Sequence, residues 1–358
     1  MKFIDFFAGI GGFRRGMELA GHECVGFCEF DKFATASYIS MHLLTDDQRK
    51  ALEDIPIKQR QKEILKEEYR NGEWYANDIR RVYAGDIPKA DCWCFGFPCQ
   101  DISVAGKQAG FQGNRSSLFF RVMYLIGQLK EEDKPTYLFI ENVKNLLSVN
   151  GGWDFARLLI EMDAGGYDAE WQMLNSKDFG VPQNRERVFI IGILRGRCGR
   201  KILPITRKGT GNIKQLVGGS QGNRVYATDG VSITLSSGGG GMGAKTGLYL
   251  IKPQMGISAA RSVLIPERIK KRQNGRRMKE ANEPMFTLTS QDRHGVQIDG
   301  RIRRLTPKEC FRLQGWSDDD FENAKLVNSD NQLYRQAGNG VTVTVIEAIA
   351  RKMSANLN

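Results

Sequence analysis

The stretch that most restricts how this chain can fold lies within its first thirty residues. Phe3-Ile4-Asp5-Phe6-Phe7 is a short apolar run of strand length, and Ala8-Gly9-Ile10-Gly11-Gly12 follows it at once as a tight turn. Residues 13–20 then have helical patterning, with Gly21 in the usual C-terminal place, and residues 24–28 form a second apolar run ending at Glu29. Strand, glycine turn, helix and strand in that order predict a doubly wound, mostly parallel α/β sheet. Ligands of such sheets bind beyond the carboxyl ends of the strands, where this turn falls. A dinucleotide fingerprint would want a third glycine at position 14, and Arg14 stands there instead. The turn therefore suits a nucleoside cofactor other than NAD. Glu29, twenty residues past Gly9, is placed to accept hydrogen bonds from ribose hydroxyls.

Further along, residues 90–95 read as a buried strand that runs into Gly96-Phe97-Pro98-Cys99-Gln100. A cysteine at the lip of a strand faces whatever binds at the sheet edge. Taken alone, a buried and inert thiol is the commoner outcome. Other strand ends change the balance. Residues 137–140 form a strand with Glu141-Asn142-Val143 at its end, and Arg185 and Arg187 open a later strand. A thiol, a carboxyl and two guanidinium groups beside a nucleoside-binding turn suit nucleophilic addition to a heteroaromatic ring. Neighbouring arginines favour the thiolate, and a carboxyl group in the pocket can protonate a ring nitrogen. Between these elements, residues 44–81 read as a charged, solvated helical insertion. Residues 82–84 read as a third strand ending in Gly85-Asp86-Ile87, with Asp86 free to pair with an exocyclic amine. Residues 116–130 and 153–163 have helical patterning, and residues 170–174 and 187–194 strand patterning.

Charge divides the chain. The net charge is +11, yet residues 195–312 hold 24 Lys/Arg against 7 Asp/Glu, while the remainder is mildly acidic. A basic segment on an acidic body predicts a polyanion-binding module. Composition shifts in the same place, near Gly196, toward Gly, Ser, Thr and short strands, and residues 230–237 are echoed by residues 283–290. The expected organisation is a catalytic and cofactor-binding domain over 1–195, a basic recognition domain over 196–320, and a return to the first domain over 321–358. No apolar run reaches the roughly 18 residues of a membrane span, and Asp5 and Arg14-Arg15 interrupt any leader-like stretch. Seven cysteines lack the spacing of a disulfide framework, and Cys92-x-Cys94 has no second pair or nearby histidine, so no metal site is expected. A cytoplasmic protein is expected.

The ordered set of motifs resembles the DNA (cytosine-5) methyltransferases over nearly the whole chain. It comprises Phe7-Ala8-Gly9-Ile10-Gly11-Gly12, Glu29, Asp86-Ile87, Pro98-Cys99-Gln100, Glu141-Asn142-Val143, Gln183-Asn184-Arg185-Glu186-Arg187, Arg304-Leu305-Thr306-Pro307 and Gln336-Ala337-Gly338-Asn339. The resemblance implies the class I methyltransferase fold with S-adenosylmethionine over the glycine turn. Phe7, Ala8, Gly9, Ile10, Gly11, Gly12, Glu29, Phe30, Asp86, Ile87, Pro98, Leu118, Asn339 and Val341 would line its pocket. It implies double-stranded DNA as substrate, with a target cytosine flipped from the stack. Cys99 would add to C6, Glu141 would serve N3 and the amine, Arg187 would hold O2, and Arg185 would steady the thiolate. A mobile lid over residues 100–113 would close on DNA, and Gln100, Ser103, Lys107 and Arg115 would touch it. In the basic segment, residues 217–250 look like a target-recognition domain in which Gln221 fills the vacated stack, Arg224 reads guanine and Thr246 adds a contact. Residues 252–298 add a second unit of that kind, so the target sequence is not implied. Family members usually carry serine after the asparagine of the last motif. Gly340 takes its place here, which would loosen that part of the cofactor wall. A monomeric bacterial or phage enzyme of restriction-modification or orphan modification is expected, and a restriction endonuclease for the same site is a partner the resemblance allows. The alternatives are a related enzyme acting on tRNA and an inactive DNA-binding homologue.

Overall fold

The computed structural model describes residues 1–97, 118–181, 183–197, 201–205 and 305–355, together with the backbone of short strands between 215 and 303. Two compact units divide these residues: 1–174 with 186–206 and 345–358, and 175–185 with 207–344.

The first unit is built on a seven-stranded sheet. Its strands are β1 (Lys2–Phe6), β2 (Glu23–Cys28), β3 (Trp74–Ala76), β4 (Cys92–Phe95), β5 (Tyr137–Val143) and β6 (Tyr167–Asn175). After a two-residue strand β7 (Gln183–Asn184) in the second unit, β8 (Glu186–Leu194) completes it. The order across the sheet is β3-β2-β1-β4-β5-β8-β6. Pairing is parallel from β3 to β5, and β8 runs antiparallel to β5. Central parallel strands are covered on both faces, so they need unbroken apolar runs instead of alternation. All four residues of β4, Cys92-Trp93-Cys94-Phe95, are buried, as are Phe3, Ile4 and Phe6 of β1 and Leu138, Phe139 and Ile140 of β5. The expected doubly wound, mostly parallel sheet is present.

Helices α1 (Gly12–Leu19), α2 (Lys32–His42), α5 (Leu118–Gln128) and α6 (Trp153–Ala164) follow β1, β2, β4 and β5. Asp31 caps α2 by accepting the Phe33 and Ala34 N–H groups. Between α2 and β3, the short helices α3 (Asp46–Glu53) and α4 (Ile57–Glu63) make up the charged insertion.

Here the third strand differs from expectation. It is Trp74–Ala76, inside the stretch read as helical insertion, and it pairs with β2 through Gly26↔Trp74 and Cys28↔Ala76. Residues 82–84 are not a strand; Ala84–Asp86 is a single 3-10 turn. Val82 is nevertheless buried, which is what its apolar character reported. The backbone there is satisfied by a side chain: Arg121 donates to the carbonyls of Ile79 (3.3 Å) and Val82 (2.6 Å).

In the second unit lie α7 (Pro307–Leu313), α8 (Asp318–Lys325) and α9 (Asp330–Asn339), followed by α10 (Val343–Ser354), most of which belongs to the first unit. Capping boxes start α7 at Thr306 with Glu309 and α8 at Ser317 with Asp320. Within the first unit α10 packs on α1 at a glycine: a Cβ on Gly16 would lie 2.5 Å from Ile346 Cβ and 2.9 Å from the Glu347 backbone nitrogen. Neither neighbour can yield without moving the helix. Gly16→Val should therefore lower stability by about 1–3 kcal/mol through overpacking, read as a fall in the thermal unfolding midpoint.

Candidate active site

The strand order reverses between β1 and β4, since β2 and β3 lie to one side and β5, β8 and β6 to the other. A crevice at the carboxyl ends of the strands is expected at such a switch point. Register sets what stands there. Phe6 is level with Phe95, and Phe95 with Ile140. Glu141 therefore comes one residue above the row that β1, β4 and β5 share, beside the turn that starts at Gly96.

Glu141 lies opposite Phe189 and Val143 opposite Arg187, so Glu141 and Arg187 form a diagonal pair on one face of the β5–β8 ladder. They make an ion pair, Arg187 Nε to Glu141 Oε1, at 3.0 Å, with both side chains largely buried. A charge pair withdrawn from water in this way is held in one geometry. The other carboxylate oxygen faces Gly96: a Cβ on that residue would stand 3.2 Å from Oε2. Asn142, only 2% exposed, donates from Nδ2 to the Phe97 carbonyl at 3.2 Å. The strand end at Glu141-Asn142 thus grips the backbone that leads into Pro98.

Around the glycine turn the backbone takes rare conformations. Phe7 (φ 55°), Gly9 (φ 57°) and Gly11 (φ 83°) are all left-handed. For Phe7 that costs roughly 1–2 kcal/mol. The turn is held by Ala8 N–H to the Cys28 carbonyl (3.1 Å) and Gly9 N–H to Glu29 Oε2 (2.8 Å), while Glu29 Oε1 accepts the Asp31 N–H (2.7 Å). An ionised carboxylate has about four acceptor positions, so both oxygens keep capacity for further donors. Burial raises the Glu29 pKa above its ordinary value, against the opposing pull of the Asp31 and Gly9 N–H groups. Space above Gly9 is open, with no atom within 4 Å of where a Cβ would be. Helix α1 starts here without a side-chain cap from Gly11, and the N–H of its third residue, Arg14, is directed at the buried Asp5 at 3.3 Å.

Beside Glu29, Phe30 is 70% exposed, an unusual state for a large apolar ring. The Arg80 guanidinium lies over it, 5.7 Å from the ring centroid, and is paired to Asp78 at 2.7 Å. Asp78 and the buried Ile79 directly follow the end of β3, next to the end of β2. Hydrogen bonding from Arg80 holds the Asp78 carboxyl below its usual pKa. Sequence reading assigned this position to Asp86 and Ile87. Asp86 is exposed in the 3-10 turn and Ile87 is buried below it, because the strand they were thought to follow does not form. At that place beside Glu29 stand Asp78 and Ile79 instead. Their signal was an Asp-Ile pair behind the three-residue run Trp74-Tyr75-Ala76.

In the second unit Arg185 is 3% exposed, and its Nη2 donates to the carbonyls of Gly338 (3.3 Å) and Gly340 (2.9 Å). This guanidinium is engaged with main chain beside Asn339, the last residue of α9; Val341 follows in the turn before α10. Leu118 opens α5 in the first unit, half-buried. Among the described residues, the structure brings together Glu141 and Arg187, and separately Phe7 to Gly12, Glu29 and Phe30. Pro98, Cys99, Gln100, Ser103, Lys107, Arg115, Gln221, Arg224 and Thr246 lie outside the described residues.

A family model described as C-5 cytosine-specific DNA methylase matches residues 1–355. The chain belongs to that family. The type II methyltransferase M.HhaI of Haemophilus parahaemolyticus is 30% identical to it over 396 aligned positions, covering 100% of this chain and 95% of that protein. The orphan methyltransferase M.SPRI of Bacillus phage SPR is also 30% identical, over 99% of this chain and 97% of its own. Among solved structures, the Schizosaccharomyces pombe Dnmt2 methyltransferase superposes with a TM-score of 0.61 at 14% identity, covering 100% of this chain and 99% of its own. A putative DNA modification methyltransferase encoded within an E. coli prophage gives 0.56 at 17% identity with the same coverage. The seven-stranded sheet with one antiparallel strand is the class I methyltransferase fold. No helix among the described residues is long and apolar enough to cross a membrane.

For a C-5 cytosine methylase, the contact at Gly96 has a direct consequence. Gly96→Ala should push the Glu141 carboxylate aside by a few tenths of an ångström and lower kcat about tenfold or more, with little change in thermal midpoint. Steady-state methylation of DNA together with a melting curve checks it, and unchanged turnover would mean that the carboxylate tolerates displacement.

Proposed function

We propose that this methylase transfers a methyl group from S-adenosylmethionine to C5 of a cytosine that it swings out of duplex DNA, through a covalent bond between Cys99 and C6. The observation that carries the reading is the Glu141–Arg187 pair beside Gly96, three residues before Cys99. A flipped base is needed because C6 cannot be reached within the stack.

The donor set fits the cofactor. Gly9 leaves a clear cradle, Glu29 retains acceptor capacity for ribose hydroxyls, and the exposed Phe30 ring offers a face to a purine. Asp78 and Ile79, in place of Asp86 and Ile87, would meet the adenine edge, with Phe7, Ala8, Ile10, Gly12, Pro98 and Leu118 completing the pocket. When bound, S-adenosylmethionine supplies an electrophilic methyl group on a sulfonium sulfur. The chain's own residues prepare the acceptor. Arg187 fixes the Glu141 carboxyl and reaches the O2 side of the ring. As the Cys99 Sγ–C6 bond forms, Glu141 gives a proton to N3, so electron density collects at C5. After C5 is methylated, a water molecule takes the C5 proton, the Sγ–C6 bond breaks, and N3 returns its proton to Glu141, restoring the aromatic ring and the thiolate. Asn142, through the Phe97 carbonyl, holds the strand exit from which Cys99 is presented, and Arg185 stiffens the segment around Asn339.

DNA is the favoured substrate because residues 195–312 are strongly basic, a stretch far larger than an enzyme acting on one tRNA stem needs. Residues 217–250, with Gln221, Arg224 and Thr246, would read the target, and Gln100, Ser103, Lys107 and Arg115 would contact its backbone. The enzyme would act as a monomer in the cytoplasm, either alone as an orphan enzyme or beside an endonuclease for the same site.

A covalent trap tests the chemistry. A long duplex synthesised with 5-fluorocytosine throughout presents every target sequence, and fluorine cannot leave C5 as a cation. With S-adenosylmethionine present, a denaturing gel should show protein bound to DNA. Cys99→Ala should abolish the band and Glu141→Gln should slow its appearance by about 10²–10⁴-fold. A band that persists in Cys99→Ala would place the nucleophile elsewhere, and a band with tRNA but not with DNA would favour the tRNA alternative.

Glu29 gives a second test. Its ordinary value is 4.5, and burial shifts it upward. Ribose hydroxyls need the ionised acceptor, and a raised pKa means that the carboxylate is lost at higher pH than an exposed glutamate loses its own. Affinity for S-adenosylmethionine should therefore fall as pH drops through a midpoint above 4.5. Glu29→Gln should bind roughly tenfold more weakly at neutral pH and show no such midpoint, as measured by calorimetry across pH.

A further inference from the structure

The glycine turn has a second clamp that none of the family motifs quoted above contains. His42 ends α2, and its Nε2 lies 2.9 Å from the carbonyl oxygen of Ile10, in the middle of the turn. A carbonyl oxygen only accepts, so Nε2 must carry the hydrogen and the ring is fixed in one tautomer. Burial, with Arg14 and Arg15 adding to it, pushes the His42 pKa well below the usual histidine range, so the ring is neutral. The next residue, Gly11, is left-handed at φ 83°, and a Cβ there would run into the His42 ring and Tyr38. The imidazole therefore fills the space that the absent side chain leaves.

The ring is itself held. Tyr38 meets it edge-on at 4.9 Å between centroids and stacks on Phe27 of β2 at 3.9 Å. Arg14 lies over the Tyr38 ring at 5.4 Å and pairs with Glu18 and with Glu73, just before β3, each at 2.7 Å. The Arg14 N–H is directed at Asp5 of β1, 3.3 Å away. Glu29 thus restrains the turn at Gly9 from the start of the β2–α2 connection, and His42 restrains it at Ile10 from the far end of α2. A backbone with three left-handed residues in five persists only where its surroundings over-determine it.

We propose that His42 is a positioning residue for the cofactor: by donating to the Ile10 carbonyl and packing on Gly11, it holds the glycine turn in the conformation that receives S-adenosylmethionine. The inference rests on the reading of that turn as the cofactor site.

Calorimetric binding of S-adenosylmethionine and steady-state kinetics on duplex DNA test it with the full chain. His42→Leu removes the donor and keeps the bulk; it should weaken cofactor binding roughly tenfold and raise KM for S-adenosylmethionine while leaving KM for DNA unchanged. His42→Gln, whose amide nitrogen reaches about as far as Nε2, should restore binding to within about threefold of the parent. His42→Asn is too short to reach Ile10 and should resemble His42→Leu, which keeps the test open if the leucine variant does not fold. Glu29→Ala is the control for the site. If it loses the cofactor while His42→Leu and His42→Asn bind normally, the role of His42 is overturned. If Glu29→Ala and His42→Leu both bind normally, the placement of the cofactor at the turn has failed instead. Loss in His42→Leu that glutamine does not restore would mean steric packing alone, and would overturn the hydrogen-bonding role.

Discussion

The antiparallel course of β8 is the constraint on which the site depends. In a wholly parallel sheet, each strand would bring its last residues to the carboxyl edge. Because β8 runs against β5, it brings its first residues there, and Val143 is level with Arg187. A guanidinium at the start of one strand thereby meets a carboxylate near the end of another across a single ladder. The side-chain period of two then decides which face they share, and a one-residue slip would send Arg187 to the opposite face from Glu141.

The same edge carries two kinds of rigidity. At β4 and β5 it comes from a desolvated ion pair and from Asn142 on the Phe97 carbonyl. At β1 it comes from left-handed backbone pinned by side chains of later elements. Behind that turn, Asp5 is fully buried and burial raises its pKa well above the ordinary value, although the Arg14 N–H and charge oppose the shift. A buried carboxyl in this state is costly to the fold, and it is tolerated beneath a strained turn that α1, α2 and β2 all hold in place. Strain and desolvation gather where a ligand must find preformed partners, because groups already ordered need no reorganisation when it arrives.

Much of this arrangement was legible because it follows from short local rules. A five-residue apolar run into glycines can hardly be other than a strand entering a tight turn, and Glu29, Glu141 and Arg187 were found as polar residues at the ends of apolar runs. The third strand escaped because β3 is three residues long, half-buried, and at the sheet edge, with one neighbour. Such a strand needs no apolar run. Val82 and Ile87 carried the apolar signal instead, as loop residues packed into the core, and the assignment of Asp86 followed them. Nor could His42 have been seen: a single histidine at a helix end has no pattern, and its meaning comes from a turn thirty-two residues earlier in the chain.

Gly340 shows how a departure from a family pattern changes meaning once the backbone is known. Loss of the usual serine suggested a loosened wall. Yet Gly340 sits at φ −65°, ψ 155°, an ordinary extended conformation that uses none of the freedom of glycine. Its N–H donates to the Gln336 carbonyl, and its own carbonyl accepts from Arg185 at 2.9 Å and from Gln314 at 3.3 Å. Gln314 Oε1 in turn accepts from the Thr342 hydroxyl at 2.8 Å, and that hydroxyl meets Ser176 at 2.7 Å. Three buried side chains and one guanidinium therefore fix the main chain here. The rigidity of the segment comes from Arg185 and Gln314 on the Gly340 carbonyl, not from a side chain at residue 340. That also accounts for a buried arginine only two residues before Arg187 with so different a set of partners: one steadies backbone, the other a carboxylate.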